Sequence, residues 1–147
     1  MALPAGSPPR PAASGREASA KDGTSRPAAK TRWRVLLVDD SADDAELTRI
    51  ELHGAGIDAD CLWVEGEAAL RAALDGPEPQ LVLSDLNMPG FDGPRALAIV
   101  RERAPAARFV FLTGAIAEDA VLPEADGVLL KDELHALPAL VRELLGA

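Results

Sequence analysis

Runs of apolar residues recur along the chain, and each runs out onto a polar group. "WRVLLV" (33–38) leads into "DDSADD", and "IDADCLWV" (57–64) leads into Glu65. "PQLVLSD" (79–85) closes on Asp85, "ARFVFLTG" (107–114) on Thr113 and Gly114, and "DGVLLK" (126–131) on Lys131. Short runs that are apolar at consecutive positions predict strands buried on both faces. Helix signals lie between them. Ser41 can cap a helix whose first turn is acidic and which carries Leu47, Ile50 and Leu52. That helix is expected to stop near "HGAG", with Gly54 as its C-cap residue. "GEAALRAALDG" (66–76) reads as a short Ala-rich helix. "GPRALAIVRERA" (93–104) has Pro94 at a helix start, where proline is tolerated. "LPALVRELLG" (137–146) reads as a closing helix. Strands alternating with helices predict an α/β fold, a doubly wound parallel sheet of five strands covered on both sides.

Residues 1–31 break this pattern. They are rich in Pro, Ala, Ser, Gly and basic residues and hold almost no large apolar side chain. Such a segment cannot bury enough surface to offset its ordering entropy, so a disordered basic tail at 1–31 and one folded domain at 32–147 are expected. The folded part can build a core, because 48% of the chain is hydrophobic, but with only 3% aromatics the core must be aliphatic.

Charge narrows the partners. The formal net charge is −9. Residues 1–32 carry six basic groups (Arg10, Arg16, Lys21, Arg26, Lys30, Arg32) against Glu17 and Asp22, a balance of +4, which leaves −13 for the rest. An acidic domain argues against direct nucleic-acid binding. No apolar run reaches the ~18 residues of a membrane span, and no secretory leader is visible. Cys61 is the single cysteine, which fits a reducing cytoplasm, and it reads as a small buried hydrophobe. His53 and His135 have no partner at metal-ligand spacing.

In doubly wound sheets the ligand crevice lies beyond the carboxyl ends of the strands. The predicted ends carry Asp39 and Asp40, Asp85, Thr113 and Lys131. Singly, each has a bland reading: an acidic helix start, an Asx turn, a turn hydroxyl, a solvated lysine. Jointly they place carboxylates, a hydroxyl and an ammonium on one rim. Clustered carboxylates suit a hard divalent cation, Mg²⁺ above all. With such a cation offsetting charge, Asp85 becomes a nucleophile toward a phosphoryl group, which Thr113 and Lys131 can hold.

"LLVDDSADDAEL", "LVLSDLNMPGFDG", "FVFLTG" and "GVLLKDEL", in this order, resemble the receiver domain of two-component response regulators. The resemblance covers 33 to about 145 and implies a flavodoxin-like receiver fold in a bacterial, cytoplasmic phosphoprotein. It implies that Asp85 accepts a phosphoryl group from the phosphohistidine of a sensor histidine kinase. Asp40 and Asp85 would ligate Mg²⁺, with Asp39 helping through water and the Asn87 carbonyl as a further ligand. Thr113 would be the switch hydroxyl, and Lys131 would hold a phosphoryl oxygen. Pro89 and Gly90 would make the turn that presents Asn87.

The sequence departs from that family at one end of the sheet. Eighteen positions separate Thr113 from Lys131, and Pro123 lies between them, so a shortened or irregular fourth helix is expected there. Val128 stands where the family carries a switch aromatic, and Asp132 follows Lys131 where the family has a proline in a cis bond. Output is therefore expected through binding of an unidentified downstream protein or through a phosphate shuttle or sink. "TGAIAEDA" and "LLKDEL" resemble small receivers that accompany sensor kinases. No output domain follows Lys131 in this sequence, which points to a single-domain regulator that catalyses only its own phosphorylation and dephosphorylation. Two other readings remain open: a receiver-fold interaction module without phosphoryl turnover, and a metal-dependent hydrolase. The hydrolase would want a second carboxylate two residues after the nucleophile, where Asn87 stands.

Overall fold

The computed structural model describes residues 32–115 and 124–146. The chain divides into Met1–Arg32 and Trp33–Ala147, and the fold is that of the second unit. The tail at 1–31 lies outside the described residues, as does most of the segment where a shortened fourth helix was expected, 116–123.

Five strands, β1 (Trp33–Val38), β2 (Ala59–Val64), β3 (Leu81–Asp85), β4 (Arg108–Thr113) and β5 (Gly127–Leu130), form one parallel sheet in the order β2-β1-β3-β4-β5. Four α-helices are described: α1 (Ala42–Gly54), α2 (Glu67–Leu74), α3 (Gly93–Arg103) and α4 (Leu137–Leu145). This is the predicted doubly wound architecture, with most elements trimmed by a residue or two at their ends.

Alternation along the strands explains the two-sided core. Leu36, Val38, Val82, Phe109 and Phe111 point to the face covered by Leu70 and Leu74 of α2 and by Ala96, Leu97 and Val100 of α3. Val35, Leu37, Leu81, Leu83, Val110 and Leu112 point to the opposite face, covered by Ala45 and Leu52 of α1 and by Leu137 and Val141 of α4. Cys61 is half-buried on β2.

Three expectations need correction. Gly54 is the last helical residue of α1, not its cap. The chain leaves the helix through Ala55 and through Gly56, whose φ of 84° only glycine adopts without strain. Gly56 N–H donates to His53 O at 3.0 Å and Ile57 N–H to Leu52 O at 3.1 Å, and Ile57 and Leu52 are both buried. That is a Schellman ending with its apolar contact. Second, α1 buries Ala45, Thr48 and Leu52 and leaves Leu47 and Ile50 exposed, because its small residues face the sheet. Third, β5 ends at Leu130, and Lys131 opens a 3₁₀ turn, Lys131–Ala136, before α4 begins.

Candidate functional site

The switch in chain direction falls between the central strands β1 and β3, where sheets of this order bind ligands. Asp39 and Asp40 follow β1 and Asp85 ends β3, so the strand order brings them together. One carboxylate oxygen from each of the three lies within 4.8 Å of the others. Asp39 and Asp85 are buried and Asp40 is exposed.

Local structure fixes each carboxylate. Asp39 N–H extends the sheet to Val64 O at 3.1 Å, and the Trp63 indole N–H donates to Asp39 O at 2.8 Å. Asp39 Oδ1 accepts from Ser41 N–H at 2.9 Å, while Ser41 Oγ caps α1 by accepting from Asp44 N–H at 3.2 Å. Asp85 Oδ1 accepts from Asn87 N–H at 3.2 Å, an Asx turn that aims the carboxylate along the loop. The loop then reverses at Met88–Phe91. Pro89 takes the second turn position and Gly90, with φ 76°, the third, as a type II turn requires. Asp92 caps α3 by accepting from Arg95 N–H at 2.9 Å, and Pro94 stands in its first turn.

Lys131 reaches this cluster from the first position after β5, two strands beyond β3. Its ammonium donates to Asp44 Oδ2 at 2.7 Å, Asp39 Oδ2 at 3.0 Å and Asp85 Oδ2 at 3.3 Å. Burial works against its charge, but the hydrogen bonds to Asp44 and Asp39 and the charges of Asp39 and Asp85 outweigh it and hold its pKa above the ordinary value. Thr113, buried at the end of β4, donates its hydroxyl to Ala115 O at 3.1 Å. Asn87 lies in the loop beside Asp85 with its side chain exposed. All six predicted site residues therefore stand at the carboxyl edge of the sheet, and Asp39, Asp85 and Lys131 touch. His53 lies elsewhere, its Nε2 within 2.9 Å of Ala59 O, and His135 sits exposed in the 3₁₀ turn.

Two residues escaped the reading of the sequence. In the sequence Asp44 reads as part of an acidic helix start, yet it makes the shortest bond to Lys131. Trp63 reads only as a strand residue, yet its indole N–H holds the carbonyl of Asp39. The third-turn-position spacing from Ser41 could have flagged Asp44, but nothing local ties it to a lysine 87 positions away.

Asp39 carries the electrostatic cost. Burial raises its pKa and the nearby Asp85 charge adds to this, against the opposing bonds from Ser41 and Lys131. A pKa raised above the ordinary 3.8 means that the folded protein holds the proton more tightly than the unfolded chain. That stabilisation is complete below pH 3.8 and is lost as the pH climbs through the raised value, so charged Asp39 costs stability at neutral pH. Asp39→Asn keeps the acceptor for Ser41 N–H and removes the charge. It is expected to raise the melting temperature in metal-free buffer at pH 7 by roughly 4 °C. The gain should shrink toward pH 4. An unchanged or lower melting temperature at pH 7 would show that the Lys131 bond outweighs burial.

The donor set also tests whether a cation fits. Three carboxylates (Asp39, Asp40, Asp85) each offer an oxygen within 4.8 Å of the others, two of them are buried, and the Lys131 ammonium reaches only Asp39 and Asp85 of this group. Hard oxygen donors with uncompensated negative charge are what a hard divalent cation requires.

Comparisons with known proteins point one way. A family model described as the response regulator receiver domain matches residues 35–142. The DNA-binding response regulator MtrA of Mycobacterium tuberculosis is 40% identical over 70 residues, which is 48% of this chain and 30% of that protein. The DNA-binding transcriptional regulator NtrC of Escherichia coli is 33% identical over 82 residues, 56% of this chain and 17% of that protein. The aligned stretch is thus under a third of the length of either relative. A response regulator from Thermotoga maritima superposes with a TM-score of 0.68 at 20% identity, covering 80% of this chain and 100% of that one. A BeF3-activated DrrB receiver domain superposes with a TM-score of 0.65 at 22% identity, over 80% and 100% of the two chains.

Proposed function

Because the chain belongs to the response regulator receiver domain family, we propose that Asp85 accepts a phosphoryl group from the phosphohistidine of a sensor histidine kinase. The observation that carries this reading is the convergence of Lys131 on Asp39 and Asp85 at adjacent strand ends, 3.0 and 3.3 Å from its ammonium. The receiver unit on this reading is residues 32–147.

The chemistry follows from the residues. An Asp85 carboxylate oxygen attacks phosphorus and a P–O bond forms. The P–N bond breaks and its electron pair returns to that ring nitrogen; with the other ring nitrogen protonated, a neutral histidine is left on the kinase. Phosphoryl transfer is mostly positioning and electrostatics. The Asx turn and the burial of β3 hold the nucleophile. Lys131 then pairs with a phosphoryl oxygen, and the Thr113 hydroxyl turns from Ala115 O toward another. Asp39, Asp40, Asp85 and the Asn87 carbonyl would hold Mg²⁺, which when bound relieves the repulsion among the carboxylates and offsets the charge of the phosphoryl group. The protein on this reading is a phosphoacceptor that catalyses only its own phosphorylation and dephosphorylation.

Partner binding or phosphate shuttling is the output that fits Val128. It is half-buried against the core where the family carries an aromatic switch, so no ring there can follow Thr113. The Lys131–Asp132 peptide is trans. MtrA and NtrC are named as DNA-binding, and that property belongs to those longer proteins. Among the described residues no helix is long and apolar enough to cross a membrane.

Incubation with acetyl phosphate, read by intact mass, tests the proposal. A single hydroxylamine-sensitive phosphoryl adduct is expected with Mg²⁺ and none with a chelator. Equal labelling in both would remove the metal from the reading. No labelling, with Mg²⁺ binding shown separately, would favour an interaction module without phosphoryl turnover.

A further inference from the structure

The strand-end lysine has more carboxylates than the reaction calls for. An ammonium has three N–H donors. All three of those on Lys131 are committed, to Asp44 at 2.7 Å, Asp39 at 3.0 Å and Asp85 at 3.3 Å. A phosphoryl oxygen arriving on Asp85 must therefore displace one partner. Asp44 is the most exposed of the three, with 40% of its side chain accessible against 7% for Asp39 and 11% for Asp85. It can turn into water at the least desolvation cost.

Helix geometry explains why Asp44 is available. It is the third residue of α1 after the Ser41 cap. An acid at that position commonly reaches back to the N–H of the cap residue. Here Asp39 Oδ1 already takes the Ser41 N–H, so the Asp44 carboxylate is left to Lys131. Its backbone is pinned at both ends, by Ser41 Oγ on its N–H and by the Thr48 hydroxyl at 3.0 Å on its carbonyl. Asp44 also lies outside the Asp39, Asp40 and Asp85 group that could hold a cation.

Building on the phosphoacceptor reading, we infer that Asp44 is a positioning residue that occupies on Lys131 the hydrogen-bond site a phosphoryl oxygen takes after transfer, and so slows phosphoryl uptake. The carboxylate acts in two directions. Before transfer it draws Lys131 away from Asp85, whose bond is the longest of the three, and leaves the Asp39 and Asp85 oxygens freer for a cation. During and after transfer its charge repels the phosphoryl group and competes for the same ammonium.

Opposite signs make the test selective. The probes are Mg²⁺ alone, followed by fluorescence of Trp63 in a Trp33→Phe background, the Trp63 indole being bonded to Asp39 O, and acetyl phosphate at saturating Mg²⁺, followed by intact mass. Asp44→Asn should label roughly three- to tenfold faster than wild type, the size expected from removing one screened charge near the phosphoryl group. The same variant should bind Mg²⁺ more weakly. Asp44→Glu restores the charge one methylene further out and should remain close to wild type in both. A merely structural role would move rate and affinity together, or neither. Labelling of Asp44→Asn at or below the wild-type rate overturns this inference alone. A wild type that takes no label at all overturns the phosphoacceptor reading and this inference with it.

Discussion

Asp85→Asn is expected to abolish the phosphoryl adduct completely while leaving the protein folded. The amide has no nucleophilic oxygen of carboxylate strength, so the P–O bond cannot form at this position. The substitution is close to isosteric. Its Oδ1 still accepts from Asn87 N–H, which lies 3.2 Å away, so the loop that leads into the Pro89–Gly90 turn keeps its anchor. The amide loses the Lys131 bond at Asp85 Oδ2, the longest of the three, and Lys131 keeps Asp44 and Asp39. Removing one of four clustered negative charges offsets that loss, so the melting temperature should stay within a few degrees of wild type. Intact mass after acetyl phosphate treatment, beside a thermal melt, reads both. A fully labelled variant would move the phosphoacceptor to another residue, with Asp40, the exposed member of the group, first to be tried.

Gly93→Ala should be the most damaging single methyl group in the described domain. A Cβ there would lie 2.6 Å from Phe111 Cε1, 2.8 Å from Leu86 Cα and 2.9 Å from Asp85 O. Phe111 is fully buried and packs edge-on against Phe109, with ring centroids 5.0 Å apart, so its ring has no room to yield. The other two atoms are backbone at the end of β3, and they carry Asp85 with them. Gly93 N–H also donates to Leu86 O at 2.9 Å, which ties the start of α3 to the same loop. Overpacking a core costs ~1–3 kcal/mol. For a domain of this size that is a fall in melting temperature of roughly 10 °C at the upper end. Phosphoryl uptake should fall with it, because one of the crowded atoms is the carbonyl oxygen of Asp85 and another belongs to the residue that follows it. Gly54→Ala is the control. It sits in α1 with nothing near the added Cβ, so it should be neutral or slightly stabilising. A Gly93→Ala protein that melts with wild type would mean that the β3–α3 loop is softer than its packing implies.

Much of the architecture was legible because burial on both faces leaves a periodicity no surface element shares. β1, β3 and β4 each hold a run of consecutive buried apolar residues, 35–38, 81–83 and 109–112, and a candidate site residue ends or follows each strand: Asp39, Asp85, Thr113. The helix starts at Ser41 and Pro94 were legible because first-turn preferences are local chemistry, whereas the Asp92 cap of α3 came from the structure. The ends were less so. Gly54 and Gly56 both offer a glycine near the end of α1, and only the backbone at Gly56, with its positive φ and the Ile57–Leu52 contact, selects the second. Likewise Leu47 and Ile50 carry an apolar signal of their own, and only packing against the sheet shows that Ala45 and Thr48 face inward instead.

The sequence by itself determined which residues could do chemistry and at which strand ends they stand, since composition, capping and strand periodicity act within a few positions. The tertiary structure decided who touches whom. Strand order set β1 beside β3, which paired Asp39 with Asp85 across 46 positions. The same order carried Lys131 back over β4 to meet them, and register put Trp63 opposite Leu37, within reach of Asp39 O. Asp44 became a partner of Lys131 only because α1 packs on the face that α4 also covers, beside the turn that follows β5. These contacts join groups far apart in the chain, and their geometry depends on the whole sheet being assembled, which no local pattern of residues encodes.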